Sequence, residues 1–332
     1  MPLQSDIHIN VAKFEPSNTL AGTAKANEDL INLLRGGLKW FEMGASKYCK
    51  TRDAGETLIP KSVFLPDGLV IEAPSRGSDR AIPCRLIYPS WRKITEERKK
   101  AKQSDTLYMV VDGFLFYADA GDLAIVSVGY RFAPEYHFLC GTNDCIDVGE
   151  YLVKNGKGVF GSSLKFIGGE SAGVHLFLLV TFYLFKNLPD LKLSGLILHC
   201  GIYDLTMLPQ CRNFVRFNLI LDHNLMRRFV DAFLPDMSGE QKKDLLVSPH
   251  YEDLEKFRGR LSSALSTCGT EDLLLDDSVI MATKWMMMGS EVVIKIYIGA
   301  PHVFINMEDK LKEAMDEQED TKTWIKDCMG KL

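Results

Sequence analysis

The chain has 332 residues, of which 46% are hydrophobic and 25% are charged, as is usual for a globular protein. Its net charge of −5 gives no reason to expect a nucleic-acid partner. The first residues lack the form of a secretory signal, and the longest apolar stretch, about Val174 to Phe185, is too short to span a membrane. The eight cysteines form no Cys-x-x-Cys pair, so we expect no zinc site and a reducing, cytoplasmic location.

The N-terminal part of the chain predicts a helix followed by two strands. Leucines and aromatic residues recur at helical spacing from Ala24 to Phe41, with Gly36-Gly37 expected to weaken or kink the helix. Strand candidates follow at Ser62 to Leu65 and Ile82 to Tyr88, and the charged run 92–104 predicts a solvated connector.

From residue 107 onwards, short apolar strands alternate with helices. The predicted strands are Leu107 to Val111, Leu123 to Tyr130, Leu164 to Ile167, Leu193 to Cys200, Leu261 to Cys268 and Glu291 to Ile298. The predicted helices are Asp144 to Asn155, Val174 to Phe185, Asp276 to Met288 and Leu311 to Met329, and an insertion rich in aromatic residues and arginine occupies 201–250. This alternation predicts an α/β fold with a mostly parallel sheet covered by helices on both faces.

A candidate nucleophile lies between the third of these strands and its helix. Gly169-x-Ser171-x-Gly173 has the small neighbours that a sharp strand-to-helix turn requires, and such a turn raises its serine above the carboxyl ends of the sheet. An ordinary glycine-rich turn is the alternative interpretation. Glu170 is expected to support the site or face solvent rather than act as an acid.

A serine nucleophile needs a histidine base and a carboxylate that orients it. Among the seven histidines only His302 lies just beyond the last predicted strand, where this fold places the base. Asp272 lies at the carboxyl end of the preceding strand, whereas Asp276 and Asp277 fit better as helix N-caps. His175 is expected to pack in its helix, and His199 could line the pocket without a chemical role.

Four motifs make residues 60–330 resemble the hormone-sensitive-lipase-like branch of the α/β hydrolases, the fold-3 esterases. They are Gly168-Gly-Glu-Ser-Ala-Gly173, Val128-Gly-Tyr-Arg-Phe-Ala-Pro-Glu135, Gly269-Thr-Glu-Asp-Leu-Leu-Leu-Asp276 and Gly299-Ala-Pro-His302. The resemblance, which points to a fungal member, implies that Ser171 is the nucleophile, His302 the general base and acid, and Asp272 the orienting carboxylate. It also implies that Tyr130 to Glu135 braces the sheet. Residues 1–60 and 201–250 would form a helical lid on a single domain, 1–332.

The sequence departs from this family after the predicted strand Leu107 to Val111. Fold-3 esterases have a His-Gly-Gly-Gly-type segment there, whose backbone N–H groups hold the oxyanion together with the residue after the serine. Here only Gly113 remains of that segment, so we expect the backbone N–H groups of Ala172 and Gly113 to hold the oxyanion. Eleven residues separate Val111 from Leu123, so the crossover helix is expected to be missing or reduced to a turn. A deletion and an error in the gene model both stay open as explanations.

The sequence therefore predicts a serine esterase that cleaves carboxylic esters, slowed by a degenerate oxyanion loop, with no metal or organic cofactor. Aromatic and apolar residues of the insertion favour a hydrophobic, uncharged small-molecule ester, although such residues also serve packing (Phe214, Phe217, Leu219, Phe229 and Phe233). The alternative is a catalytically silent relative that binds a small apolar ligand, as the plant gibberellin receptors do on this scaffold. The oligomeric state stays open, with a homodimer among the options.

Overall fold

The computed structural model describes residues 7–59, 61, 68–77, 80–89, 107–111, 115–214 and 219–330. Within these residues, eight strands form one sheet in the order β1-β2-β4-β3-β5-β6-β7-β8. The strands are β1 (Leu69–Pro74), β2 (Ala81–Ile87), β3 (Leu107–Val111), β4 (Ala124–Val128), β5 (Leu164–Glu170), β6 (Gly195–His199), β7 (Ala264–Glu271) and β8 (Val292–Pro301). β1 and β2 pair antiparallel with their neighbours and all later pairs are parallel, which confirms the mostly parallel sheet.

Helices cover both faces of this sheet. They are α1 (Ala21–Leu34), α2 (Trp40–Met43), α3 (Ala45–Asp53), α4 (Leu115–Gly121), α5 (Cys140–Val159), α6 (Ala172–Asn187), α7 (Pro209–Asn213), α8 (His223–Phe233), α9 (Leu275–Met287) and α10 (Lys312–Gly330). Side chains of α5, α6 and α9 pack on one face, while α4 and α10 pack on the other. Because both faces are covered, β4, β5, β6 and β7 are buried almost continuously rather than at alternate residues. Short 3-10 turns occupy Val11–Phe14, Pro16–Asn18, Gln241–Lys243, Pro249–Tyr251, Leu254–Phe257 and Phe304–Asn306.

The connection between β3 and β4 contains a helix of seven residues, so the prediction that this crossover helix is missing or reduced to a turn is wrong. α4 has seven residues, and its Tyr117 and Ala118 are buried against the sheet and α10. A helix of two turns fits because twelve residues separate the end of β3 at Val111 from the start of β4 at Ala124, and α4 takes seven of them. The crossover is shortened rather than lost.

Other differences from the predicted elements are small. α1 ends at Leu34, two residues before the Gly36-Gly37 pair, and the chain resumes as α2. Strand β1 was not predicted. The strand predicted at Ser62 to Leu65 and the whole charged run 92–104 lie outside the described residues. The Tyr130 to Glu135 stretch is fixed to α5, because Arg131 donates from its backbone and its guanidinium to Asp144.

The N-terminal segment and the 201–250 insertion differ in how they are held. Hydrogen bonds attach the N-terminal segment to β8 and α10. Lys13 Nζ donates to the Ile296 carbonyl at 2.6 Å, and Thr23 Oγ1 donates to Glu313 at 2.7–2.8 Å. The insertion has an apolar cluster of its own, which includes buried side chains of α8 and the loop residues Leu273 and Leu274.

Three aromatic side chains of the insertion serve packing, which the sequence analysis left open beside a role in substrate preference. Phe229 of α8 stacks on Trp40, with ring centroids 5.4 Å apart. Phe233 packs edge-on against His175 and Phe138. Phe214 packs against the apolar cluster of the insertion. No helix in the described part of the chain is long and apolar enough to cross a bilayer.

Candidate active site

Ser171 lies at the tight turn that joins β5 to α6. Its backbone has φ +52° and ψ −116°, a conformation that residues other than glycine rarely adopt. Its N–H donates to the His199 carbonyl at 2.9 Å. Both flanking glycines, Gly169 and Gly173, are buried. The serine is therefore held at the amino end of α6, where the helix dipole favours negative charge.

The structure brings the three predicted catalytic side chains together. His302 Nε2 lies 2.9 Å from Ser171 Oγ, and His302 Nδ1 lies 2.8 Å from Asp272 Oδ2. The three residues come from the carboxyl ends of β5, β7 and β8. His302 is 4% exposed and Asp272 is fully buried, so the chain of hydrogen bonds is shielded from water except at the serine.

Asp272 is held in place by both its own loop and the insertion. Its Oδ1 accepts the Leu274 N–H at 2.9 Å, and its carbonyl accepts the Gln210 side-chain amide at 2.9 Å. Leu273 and Leu274 are buried in the apolar cluster of the insertion. The insertion therefore fixes the loop that positions the carboxylate.

Asp276 and Asp277 are not the N-caps that the sequence predicts, because α9 begins at Leu275 and both lie inside its first turn. Asp277 instead accepts the backbone N–H groups of Tyr203 and Asp204 at 2.7 and 3.0 Å. Burial raises the pKa of Asp277 to about 8. This residue holds the loop after β6 and does not contact the candidate triad.

Two charges act on His302. Burial alone would lower the pKa of its imidazole, but the charge and hydrogen bond of Asp272, followed by the charge of Glu170, leave it above the usual value of 6.5. A histidine that gains basicity in this way is suited to accept the serine proton and to hold it until a leaving group needs it.

The predicted oxyanion donors are only partly described. Ala172 is the first residue of α6, and an N–H at this position has no acceptor within its own helix. Gly113 lies outside the described residues, so its role stays a prediction. Val111 pairs with Gly169 across β3 and β5, so the chain leaves β3 beside the turn that carries Ser171.

A second buried group of polar side chains lies at the same edge of the sheet and was not predicted. His199 Nε2 lies 2.6 Å from Tyr117 Oη, its Nδ1 lies 2.6 Å from Thr267 Oγ1, and Glu317 Oε1 is 3.1 Å from that nitrogen. We call Tyr117, His199, Thr267 and Glu317 the His199 cluster. His199 is fully buried in it, so it does not line a pocket. Burial lowers the pKa of His199 to about 3.

Glu170 and His175 are both buried beside Ser171. Glu170 accepts the Asn306 side-chain amide at 3.1 Å, so it does not face solvent. His175 packs in α6 as expected, with Nδ1 3.3 Å from the Ile202 carbonyl, and burial lowers its pKa to about 4. The sequence signal for Glu170 was its place next to the serine, whereas nothing local to Asn306 or Glu317 marks either residue.

One group of ligand-type side chains among the described residues is compact enough to share a cation. Ligand atoms of Cys200, Asp272 and His302 lie within 4.8 Å of one another, and all three residues are buried. Burial raises the pKa of the Cys200 thiol, which disfavours the thiolate that binds metals. The hydrogen bonds through His302 already use two of these groups, so the arrangement suits proton transfer better than metal binding.

Comparisons with known proteins agree with this geometry. A family model described as alpha/beta hydrolase fold matches residues 112–306. Arylacetamide deacetylase from Oryctolagus cuniculus is 30% identical over 140 residues, which are 40% of this chain and 34% of that protein. Lipase 2 from Moraxella sp. (strain TA144) is 24% identical over 280 residues, which are 71% of this chain and 61% of the lipase.

Solved structures show the same fold. A hormone-sensitive lipase from a metagenome library superposes with a TM-score of 0.69 and 19% identity, covering 92% of this chain and 98% of that one. The matches to curated relatives span less than two thirds of each relative's length. The predicted α/β-hydrolase family is thereby confirmed, while membership of its hormone-sensitive-lipase-like branch and a fungal origin stay predictions.

Proposed function

Because this chain belongs to the alpha/beta hydrolase fold family, we propose that it hydrolyses carboxylic esters through an acyl-enzyme on Ser171. One observation carries the proposal: the hydrogen bonds from Ser171 Oγ through His302 to Asp272, at 2.9 and 2.8 Å. This is the arrangement that serine hydrolases use on several unrelated folds. Its relatives include an arylacetamide deacetylase and a lipase by name, and hydrolysis at an acyl carbon is the reaction class that these names share.

The reaction follows from the positions of the three side chains. Ser171 Oγ attacks the ester carbonyl carbon while His302 Nε2 takes the hydroxyl proton, and the carbonyl oxygen becomes an oxyanion. The oxyanion collapses, the bond to the alcohol oxygen breaks, and His302 gives its proton to that oxygen. Water then attacks the acyl carbon with His302 as base, which releases the acid and returns the proton to Ser171.

Asp272 stays ionised throughout and keeps the His302 ring oriented. Backbone N–H groups stabilise the oxyanion, and we assign this role to Ala172 and, from the sequence, to Gly113. Loss of one oxyanion donor costs about 10²–10³ in kcat in a serine protease, which sets the scale for a degenerate loop here. We also propose that 1–60 and 201–250 form the lid of one catalytic domain, acting on a hydrophobic ester in the cytoplasm.

The test is labelling with a fluorophosphonate probe, paired with hydrolysis of p-nitrophenyl acetate and butyrate. Wild-type protein should be labelled and active, and Ser171→Ala should lose the label and on the order of 10⁴–10⁶-fold in kcat. Ser163→Ala is the matched control, because Ser163 is exposed in the loop before β5 and should change neither readout.

The other outcomes are equally informative. Label that persists in folded Ser171→Ala protein would contradict the assignment of the nucleophile. Labelling of the wild type without turnover would locate the defect in the oxyanion loop. Folded wild-type protein that neither reacts nor turns over would favour the alternative, a silent relative that binds a small apolar ligand.

A further inference from the structure

Glu170 joins the segment that carries the nucleophile to the segment that carries the histidine. It is the last residue of β5, directly before Ser171, and it is 6% exposed. Asn306 Nδ2 donates to both carboxylate oxygens, at 3.1 and 3.4 Å. Asn306 ends the one-turn helix that follows His302. The contact therefore joins the loop that carries His302 to the turn that carries Ser171, and the two side chains must keep their relative position.

Glu170 is also one of two carboxylates whose charge acts on His302. Asp272 acts from the end of β7 through a direct hydrogen bond, and Glu170 acts from the end of β5 without one. The third titratable group on this side is the buried Cys200 thiol at the end of β6, and burial raises its pKa. A carboxylate near His302 favours the imidazolium that forms when Ser171 loses its proton.

The charge of Glu170 also acts on Glu317 of α10. Burial raises the pKa of Glu317 to about 8, a hydrogen bond with Thr321 opposes this, and the charges of Glu170 and Asp320 add to it. Glu317 is therefore protonated at neutral pH and adds no second negative charge. The charge at this position is that of Glu170.

We propose that Glu170 is a second positioning carboxylate, which ties the His302 loop to the nucleophile turn through Asn306 and stabilises the His302 imidazolium during proton transfer. It does not touch the ester and acts only through His302. The inference rests on the proposed function, because only in that reaction does His302 take the proton of Ser171 and become an imidazolium.

The test compares Glu170→Gln with the wild type in two measurements. The first is the NMR titration of the His302 ring, assigned by its absence in His302→Gln. The second is the pH dependence of fluorophosphonate labelling. Glutamine keeps an acceptor for Asn306 but removes the charge, so the His302 pKa and the acid limb of the labelling profile should both move to lower pH. The maximal labelling rate should also fall, because a less basic imidazole takes the serine proton less readily.

Two further variants separate charge from structure. Glu170→Asp keeps the charge and should restore most of the titration shift. Glu317→Gln is the matched control, because it changes a carboxyl that is already neutral, and it should leave the His302 titration in place. An unchanged His302 titration in folded Glu170→Gln protein would overturn the proposal, and so would a titration shift that the labelling profile does not follow. The NMR titration measures the effect of Glu170 on His302 even if the wild type has no esterase activity. Failure of the proposed function is therefore distinguished from failure of this inference.

Discussion

Two groups of side chains at the carboxyl edge of the sheet contain the same chemical parts. The candidate triad has a histidine between a hydroxyl and a carboxyl, and the His199 cluster has a histidine between Tyr117, Thr267 and Glu317. Both histidines are buried and both make hydrogen bonds of 2.6–2.9 Å. Their pKa values nevertheless move in opposite directions, upwards for His302 and down to about 3 for His199.

The carboxyl groups explain the difference. Asp272 accepts a backbone N–H on one oxygen and lies 2.8 Å from His302 Nδ1 with the other, and its charge raises the pKa of His302. Glu317 is buried, and its pKa of about 8 leaves it neutral at pH 7. A neutral carboxyl offers His199 no charge to offset its burial. The electrostatic environment, rather than residue identity, therefore separates a reactive group from a structural one.

The largest expected effect comes from making the same carboxyl-to-amide change in both groups. Asp272→Asn should lower kcat about 10⁴-fold at neutral pH, because the amide cannot stabilise the imidazolium and favours the wrong tautomer. Glu317→Gln should leave kcat within a few-fold of the wild type, because it replaces a neutral group. Esterase assays on folded protein of both variants make the comparison.

Comparable losses in the two variants would contradict the distinction between the groups. In that case the His199 cluster would be coupled to the chemistry through the sheet. Circular dichroism and thermal unfolding should accompany the assays, because loss of fold in either variant would imitate loss of catalysis.

The sequence predicted the triad better than its surroundings, for a physical reason. Ser171, Asp272 and His302 each follow an apolar strand in a local pattern, and parallel strands bring their carboxyl ends to one edge. Asn306 and Glu317 are brought to that edge by packing of elements more than 100 residues away from Glu170 in sequence. The short helix α4 was missed because its length falls below what the spacing rule for crossovers assumes.

A smaller effect concerns stability in acid. His175 and His199 have pKa values of about 4 and 3 in the folded protein, below the ordinary 6.5. The unfolded chain then binds more protons than the folded one below pH 6.5, so stability present at neutral pH is lost as pH falls towards the folded values. Each histidine should cost about 2 kcal/mol of unfolding free energy between pH 7 and pH 5.

Urea unfolding of the wild type and His199→Gln at the two pH values measures this contribution. The variant lacks the two ring nitrogens that lie at hydrogen-bonding distance from Tyr117 and Thr267, so it should be less stable than the wild type at pH 7. Its stability should nevertheless fall by about 2 kcal/mol less than that of the wild type on going to pH 5. Parallel curves for the two proteins would mean that His199 is not held neutral in the fold.

An effect of about the same size is expected from the same cluster at alkaline pH. The pKa of Glu317 is raised from 4.5 to about 8 in the fold, so the folded protein holds a proton that the unfolded chain releases. Stability is then fully present below pH 4.5 and is lost as pH rises through the folded value. Glu317→Gln has no proton to release, so it should lack this loss. Between pH 6 and pH 8 the unfolding free energy of the wild type should fall by about 2 kcal/mol relative to that of the variant.

Glu313→Gln is the matched control for this measurement. Glu313 is a buried carboxyl on the same helix, and it accepts a hydrogen bond from Thr23 instead of lying beside His199. A gain confined to Glu317→Gln would assign the effect to the His199 cluster rather than to buried carboxyl groups of this helix in general. If Glu317→Gln showed no gain, Glu317 would be ionised at neutral pH and paired with a protonated His199. The His199 cluster would then be a buried ion pair, and its contrast with the triad would lie in the missing nucleophile rather than in charge.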